Sequence, residues 1–185
     1  MTLPALPRVP AADHPELLAP PVHEGLEQAA AAGVDISRIH TFPIDAGLAD
    51  TAALCEATGI PMEASANCVL VAGKRGGEER IAACVVLAHT RADVNTTVKK
   101  LLDVRKASFL PMDRATEESG MEYGGITPVG LPSEWRLLVD SRVADAGEVV
   151  IGSGIRASKI VLEGALLARL PGAELIEGLA TIPEG

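Results

Sequence analysis

The sequence is almost devoid of aromatic residues: two Phe, one Tyr and one Trp make up 2% of its 185 positions. A chain of this length buries a core without staples. That core must be assembled from Ala, Val, Leu and Ile, which an apolar share of 48% supplies. Cysteine is scarce too. Cys55, Cys68 and Cys84 are an odd number, stand far apart and show no C-x-x-C spacing. This argues against a disulfide framework and against a zinc site. It reads them as small buried hydrophobes of a reducing compartment. No apolar run approaches the roughly 20 residues that span a bilayer. The stretch Met1 to Pro10 carries prolines where a signal peptide would carry its apolar region, and lacks a basic start;. The expectation is a cytoplasmic protein with a loose N-terminal arm over residues 1–12 and a single domain over 13–185.

Positive charge is also short. Sixteen Lys and Arg face 25 Asp and Glu, for a net charge of −9. That excludes broad binding to DNA or other nucleic acid through a basic surface. One local concentration remains, Lys99, Lys100, Arg105 and Lys106, which fits contact with one end of an RNA or simply the solvated face of a helix. The histidines, His14, His23, His40 and His89, are scattered singly without H-x-x-x-H spacing. There is no G-x-S-x-G, no G-x-x-x-x-G-K-[ST], and no G-x-G-x-x-G opening a helix after the first strand. Metal, nucleotide-cofactor and serine-hydrolase chemistry of those kinds has no support.

Periodicity predicts a helix over 14–32, kinked at Pro20-Pro21, and a strand over 36–44. A short helix follows Asp50 as N-cap and stops at Gly59 and Pro61. Residues 64–72 and 80–88 are near-continuous apolar runs, expected as central strands covered on both faces. A flexible loop, Gly73 to Glu79, would join them. Further expectations are a helix over 93–102, a strand at 107–109, a short helix from Asp113 to Gly120, strands at 137–140, 149–151 and 159–162, a helix over 163–170, and an edge segment at 174–176. Strands cluster rather than alternating with helices, which favours α+β over a doubly wound sheet.

Two segments could carry chemistry. In Tyr123-Gly124-Gly125-Ile126-Thr127-Pro128-Val129-Gly130, paired glycines let backbone N–H groups approach a ligand, and Pro128 stiffens the exit. Such a loop can present donors to a carbonyl oxygen on which charge grows. It can also be an ordinary turn between helix and strand. Gly152-Ser153-Gly154 reads as a tight turn between strands.

The first of these loops is similar to the G-x-x-x-P loop of the YbaK/prolyl-tRNA synthetase-associated domain family. Other blocks agree in order. Arg38-Ile39-His40-Thr41-Phe42 resembles the family's I-H-T-Y strand. Residues 93–106 resemble its lysine-rich L-D-L-K-K segment, and 149–162 its late strand pair around G-G-K-R-G-L. The likeness runs from about residue 36 to 180. It implies a curled mixed sheet flanked by helices, with a small pocket that holds the aminoacyl group of a mischarged tRNA for hydrolysis, without metal or organic cofactor. It implies that the backbone of Gly124, Gly125 and Pro128 positions the ester carbonyl. Phe42, Ile126, Thr127, Gly152, Ser153, Gly154 and Lys159 would line the substrate. The acceptor end of an aminoacyl-tRNA would be the partner. The family's K-T-L lysine is matched here by Asn67, which can hydrogen-bond a ribose or phosphate oxygen but brings no charge. Lys159, which the family does not share, could restore that charge from a neighbouring strand, or could face solvent on an edge strand. Phe42 replaces a tyrosine. A binding module without turnover, and a hydrolase of some other acyl ester, are the alternatives.

Overall fold

The computed structural model describes residues 3–183. In chain order its strands are β1 (Val9–Pro10), β2 (His40–Pro43), β3 (Ala66–Arg75), β4 (Glu78–Leu87), β5 (Arg91–Ala92), β6 (Ala107–Phe109), β7 (Arg136–Asp140), β8 (Glu148–Gly152), β9 (Ser158–Glu163), β10 (Ala173–Ile176) and β11 (Ala180–Thr181). The helices are α1 (Pro20–Ala31), α2 (Thr51–Thr58), α3 (a π segment, Val94–Val98, continued by Lys99–Leu101), α4 (Met112–Ser119), α5 (Ser141–Asp145) and α6 (Gly164–Leu167).

The expected mixed sheet is divided in two. A five-stranded sheet runs β10-β7-β4-β3-β6, parallel at β10–β7 and β7–β4 and antiparallel elsewhere. An antiparallel four-stranded sheet runs β1-β2-β9-β8. A single parallel bridge, Ser65 to Val150, joins them where β3 begins. β5 and β11 form a separate ribbon that the sequence pattern did not announce.

The near-continuous apolar run of β4 has the expected cause. Ile81, Ala83, Val85 and Leu87 point into the main core with α1. Ala82, Cys84 and Val86 point the other way, under α3. Alternate residues therefore meet two different apolar layers, and neither face touches water. A third cluster, around Phe42, Leu54, Val150 and Val161, fills the space between α2 and the four-stranded sheet.

Several elements differ from the sequence-based expectation. The helix expected over 14–32 begins only at Pro20, because a proline lacks the N–H that an interior position needs and fits the first turn instead;. Two 3-10 turns, Ala11–Asp13 and Pro15–Leu17, precede it. The strand expected from Ile36 is 3-10 over Ile36–Arg38 and extended only from His40. The arm expected to be loose is partly built in. β1 pairs with β2, and Leu3 and Ala11 are buried, while Met1 and Thr2 lie outside the described residues. The expected flexible hairpin loop is a two-residue turn, Gly76-Gly77, since the strands pair out to Arg75 and Glu78. The helix expected over 163–170 is limited to Gly164–Leu167. No helix among the described residues is long and apolar enough to cross a membrane.

Candidate functional site

A cavity of about 640 Å³ opens where the two sheets meet, between the start of α2, the first residues of β3, the β8–β9 pair and the glycine loop. Asn67, Gly124, Ile126, Gly152 and Lys159 all line it. The tertiary structure thus brings together five positions spread over 93 residues of chain.

Each wall has a local cause. Asp50 caps α2, its carboxylate accepting from the N–H groups of Ala52 and Ala53 at 3.0 and 3.2 Å;. The cap fixes Thr51, whose hydroxyl donates to Asn67 Oδ1 at 2.8 Å. With its oxygen engaged, the Asn67 amide offers its NH₂ as a donor. In the opposite wall Gly124 has φ +80°, a left-handed conformation. Neither the Gly124 nor the Ile126 N–H donates to another group among the described residues, so both are free to meet a ligand.

Lys159 is on an interior strand, not on an edge, and is only 5% exposed. Its Nζ donates to Ala49 O at 2.8 Å and lies 3.5 Å from Gly124 O, tying the two walls together. Burial pulls its pKa below the ordinary lysine value; the Asp50 carboxylate opposes that shift and the Arg156 guanidinium adds to it;. Gly152 stands opposite Lys159 in register, and a Cβ there would come within 2.4 Å of Gly125 O. The close approach of glycine loop and β8 therefore requires a residue without a side chain.

The other expected positions lie outside the cavity. Phe42 is opposite Lys159 across β2–β9, but its ring is buried in the third cluster. Gly125 is buried behind the cavity wall, its carbonyl accepting from the Gly154 N–H at 2.7 Å. Ser153 is fully buried, its hydroxyl 2.7 Å from that of Ser158, so it pins the β8–β9 connection rather than facing a ligand. Thr127 is fully buried and its hydroxyl has no partner among the described residues. Pro128 lines a second cavity, about 350 Å³, on the far side of the loop. Cys68 does line the cavity, but burial pushes its thiol well above the ordinary value, which makes it a poor nucleophile at neutral pH;.

Two lining groups went unread in the sequence. Arg156 donates to Tyr123 O at 2.9 Å and to Ala46 O at 3.0 Å, strapping the glycine loop to the segment before α2. Its guanidinium sits 5.9 Å from the centroid of the Tyr123 ring. Thr51 lines the cavity and holds the Asn67 amide through its hydroxyl. The G-I-R block and an N-cap followed by Thr were visible as letters, but their targets lie 33 and 16 residues away. The cavity as a whole is rich in donors, with Asp50 as its one carboxylate among the described residues. That set suits a carbonyl oxygen and the oxygens of a ribose or phosphate.

A model of the aminoacyl-tRNA editing domain matches residues 45–170, which includes every lining residue just described. The chain belongs to that family. Solved structures agree on the fold. A hypothetical protein superimposes with a TM-score of 0.71 at 18% identity, covering 84% of this chain and 97% of its own. A candidate trans-editing enzyme for prolyl tRNA synthetase gives a TM-score of 0.70 at 17% identity, with coverage of 91% and 99%. This editing-domain chain shares with both an α+β architecture of open sheets flanked by helices.

Proposed function

We propose that this protein hydrolyses the ester that joins a wrongly attached amino acid to tRNA, acting in trans. By analogy with the trans-editing neighbour, the RNA is tRNA for proline. The observation that carries the reading is the donor-lined cavity between Asn67 and Gly124 in an editing-domain chain. Within the Gly124–Pro128 loop, the unpaired N–H groups of Gly124 and Ile126 hold the ester carbonyl oxygen and the charge that grows on it;. Water, or water helped by the ribose hydroxyl, adds to the carbonyl carbon. The ester C–O bond then breaks, and the proton from water passes to the departing ribose oxygen. Asn67 donates to a ribose or phosphate oxygen, and Lys159 supplies the charge that a neutral amide lacks. Lys99, Lys100, Arg105 and Lys106 meet the acceptor end of the RNA. The place of action is the cytoplasm.

The test is deacylation of a panel of mischarged tRNAs by the wild type, Asn67→Lys and Gly124→Ala. Turnover by the wild type on at least one tRNA, strongly reduced in Gly124→Ala, is the expected result. The neutral Asn67 favours one second reading, a module that binds an aminoacyl-RNA end without turnover. Binding of the RNA with no hydrolysis of any member of the panel selects it.

A further inference from the structure

The chain has four aromatic rings, and they divide sharply. Phe42 and Trp135 are buried, whereas Phe109 is 63% and Tyr123 60% exposed. A sequence so poor in aromatics leaves half of its rings in water, where they contribute little to the core. Tyr123 lines the cavity, and Phe109 stands on an edge strand of the sheet that forms one of its walls. Phe109 stands directly opposite Val71 in the β3–β6 pairing, so it shares a sheet face with Val69 and Asn67;. Asn67 is four residues from Val71 along β3, ~13 Å at ~3.3 Å per residue. Met112, three residues beyond Phe109, is 48% exposed and lines the cavity itself. Tyr123 lines it from the other wall.

Four basic side chains cluster in sequence beside this surface in a chain of net charge −9. Arg105 and Lys106 lead directly into β6, and Lys99 and Lys100 belong to α3, which covers the same face of the sheet. None of the four is ion-paired to a carboxylate among the described residues. The acid nearest them in sequence, Asp103, is held by Arg75 and Arg80. A row of free cations, then an exposed ring, then a donor-lined cavity is the order that an unpaired RNA end requires: phosphates, a stacked base, and the terminal nucleotide.

We propose that Phe109 is a stacking step for the unpaired nucleotides preceding the esterified one, with their phosphates against Arg105 and Lys106. This rests on the reading of the cavity as a site for an RNA-borne ester, and extends it to the strand that delivers the ester. Phe109 touches neither the carbonyl nor the attacking water, so it acts on RNA affinity and not on the chemical step.

The experiment is fluorescence anisotropy at fixed low salt with two uncharged RNA hairpins, one ending in its unpaired 3′ nucleotides and one trimmed flush. Wild type, Phe109→Ala, Phe109→Trp and, on the opposite sheet edge, Leu175→Ala are compared. The wild type should prefer the untrimmed hairpin. Phe109→Ala should weaken that complex roughly five- to tenfold, toward the level of the trimmed one. Phe109→Trp should restore it, and Leu175→Ala should leave it unchanged. Lys106→Gln should weaken both complexes and reduce the salt dependence. Binding without ester hydrolysis leaves the stacking step intact, although it removes the catalytic reading. Equal, weak binding of both hairpins by the wild type overturns the RNA-end reading and the stacking step with it. A wild-type preference that survives in Phe109→Ala overturns the stacking step alone. So does sedimentation showing that Phe109→Ala abolishes self-association while RNA affinity is unchanged, which would assign the surface to a second copy.

Discussion

Two glycines of one loop, Gly124 and Gly130, are expected to respond to alanine differently, one chiefly in activity and the other chiefly in stability. Both have φ +80°, so either substitution carries the left-handed penalty of ~1–2 kcal/mol;. They differ in what the new methyl meets. At Gly130 it would lie 1.9 Å from Pro21 O and 2.4 Å from Pro21 C, in the backbone of the first turn of α1. No side-chain movement relieves that overlap, and α1 is anchored in the main core through Val22, Leu26 and Ala29. Overpacking of this kind adds ~1–3 kcal/mol or more. The total for Gly130→Ala is about 2–5 kcal/mol, a fall in Tm of roughly 4–20 °C for a chain of this size. At Gly124 the nearest atom would be Arg156 Nη1 at 3.1 Å, the end of a flexible side chain, followed by Ala49 Cβ at 3.4 Å. Gly124→Ala should therefore cost little beyond the backbone penalty, roughly 3–6 °C in Tm. It should nevertheless displace Arg156 and disturb the free N–H groups, lowering deacylation at least tenfold in a folded protein. Circular dichroism melts and single-turnover deacylation read the two effects separately. If Gly130→Ala melts within about 2 °C of the wild type, or Gly124→Ala keeps full activity, the account of the loop is wrong.

Arg156→Met removes the hydrogen bonds to Tyr123 O and Ala46 O. Its melting temperature should stay close to that of the wild type while kcat/KM falls roughly tenfold; an unchanged kcat/KM would show that the strap is dispensable. Burial lowers the pKa of Lys159 in the folded protein. Above that lowered value and up to the ordinary lysine value, the unfolded chain holds a proton that the folded one has lost, so stability rises with pH there. Urea titrations at about pH 7 and about pH 9.5 should accordingly shift in favour of the wild type relative to Lys159→Met; a difference independent of pH refutes the burial argument. Hydrogen bonds from Arg114 and Arg136 hold Glu79 and Glu174 below the usual carboxylate range. Their stabilisation is complete above about pH 5 and fades as pH falls through the lowered values. Both pairs are substantially exposed, so the Glu79→Gln, Glu174→Gln double variant should flatten the acid limb of a Tm–pH curve only modestly. A steeper acid limb in that variant would reverse the sign.

Legibility followed the range of the forces involved. Asp50 as a cap, Gly59 and Gly120 as helix ends, and β3–β4 as a buried pair are set by interactions within a few residues or by an alternation visible in the letters. The prolines at 20 and 21 were equally visible, but they open a helix rather than kink one, because nothing local says which turn they occupy. The ribbon of β5 with β11 depends on a partner 88 residues away in register, and left no periodic signal.

The sequence by itself determined the class of fold, the two-faced central strands and the position of the glycine loop, because hydrophobic alternation and backbone permissiveness are local properties. Only the tertiary structure decided which letters meet in the cavity. It put Lys159 on an interior strand with its ammonium between Ala49 and Gly124, joined Thr51 to Asn67, and turned Ser153, Thr127 and Pro128 away from the cavity. Those outcomes follow from the register of β8 on β9 and from where the two sheets touch at Ser65 and Val150. A one-residue slip of β9 would turn Lys159 to the opposite face, and no local pattern encodes that choice;.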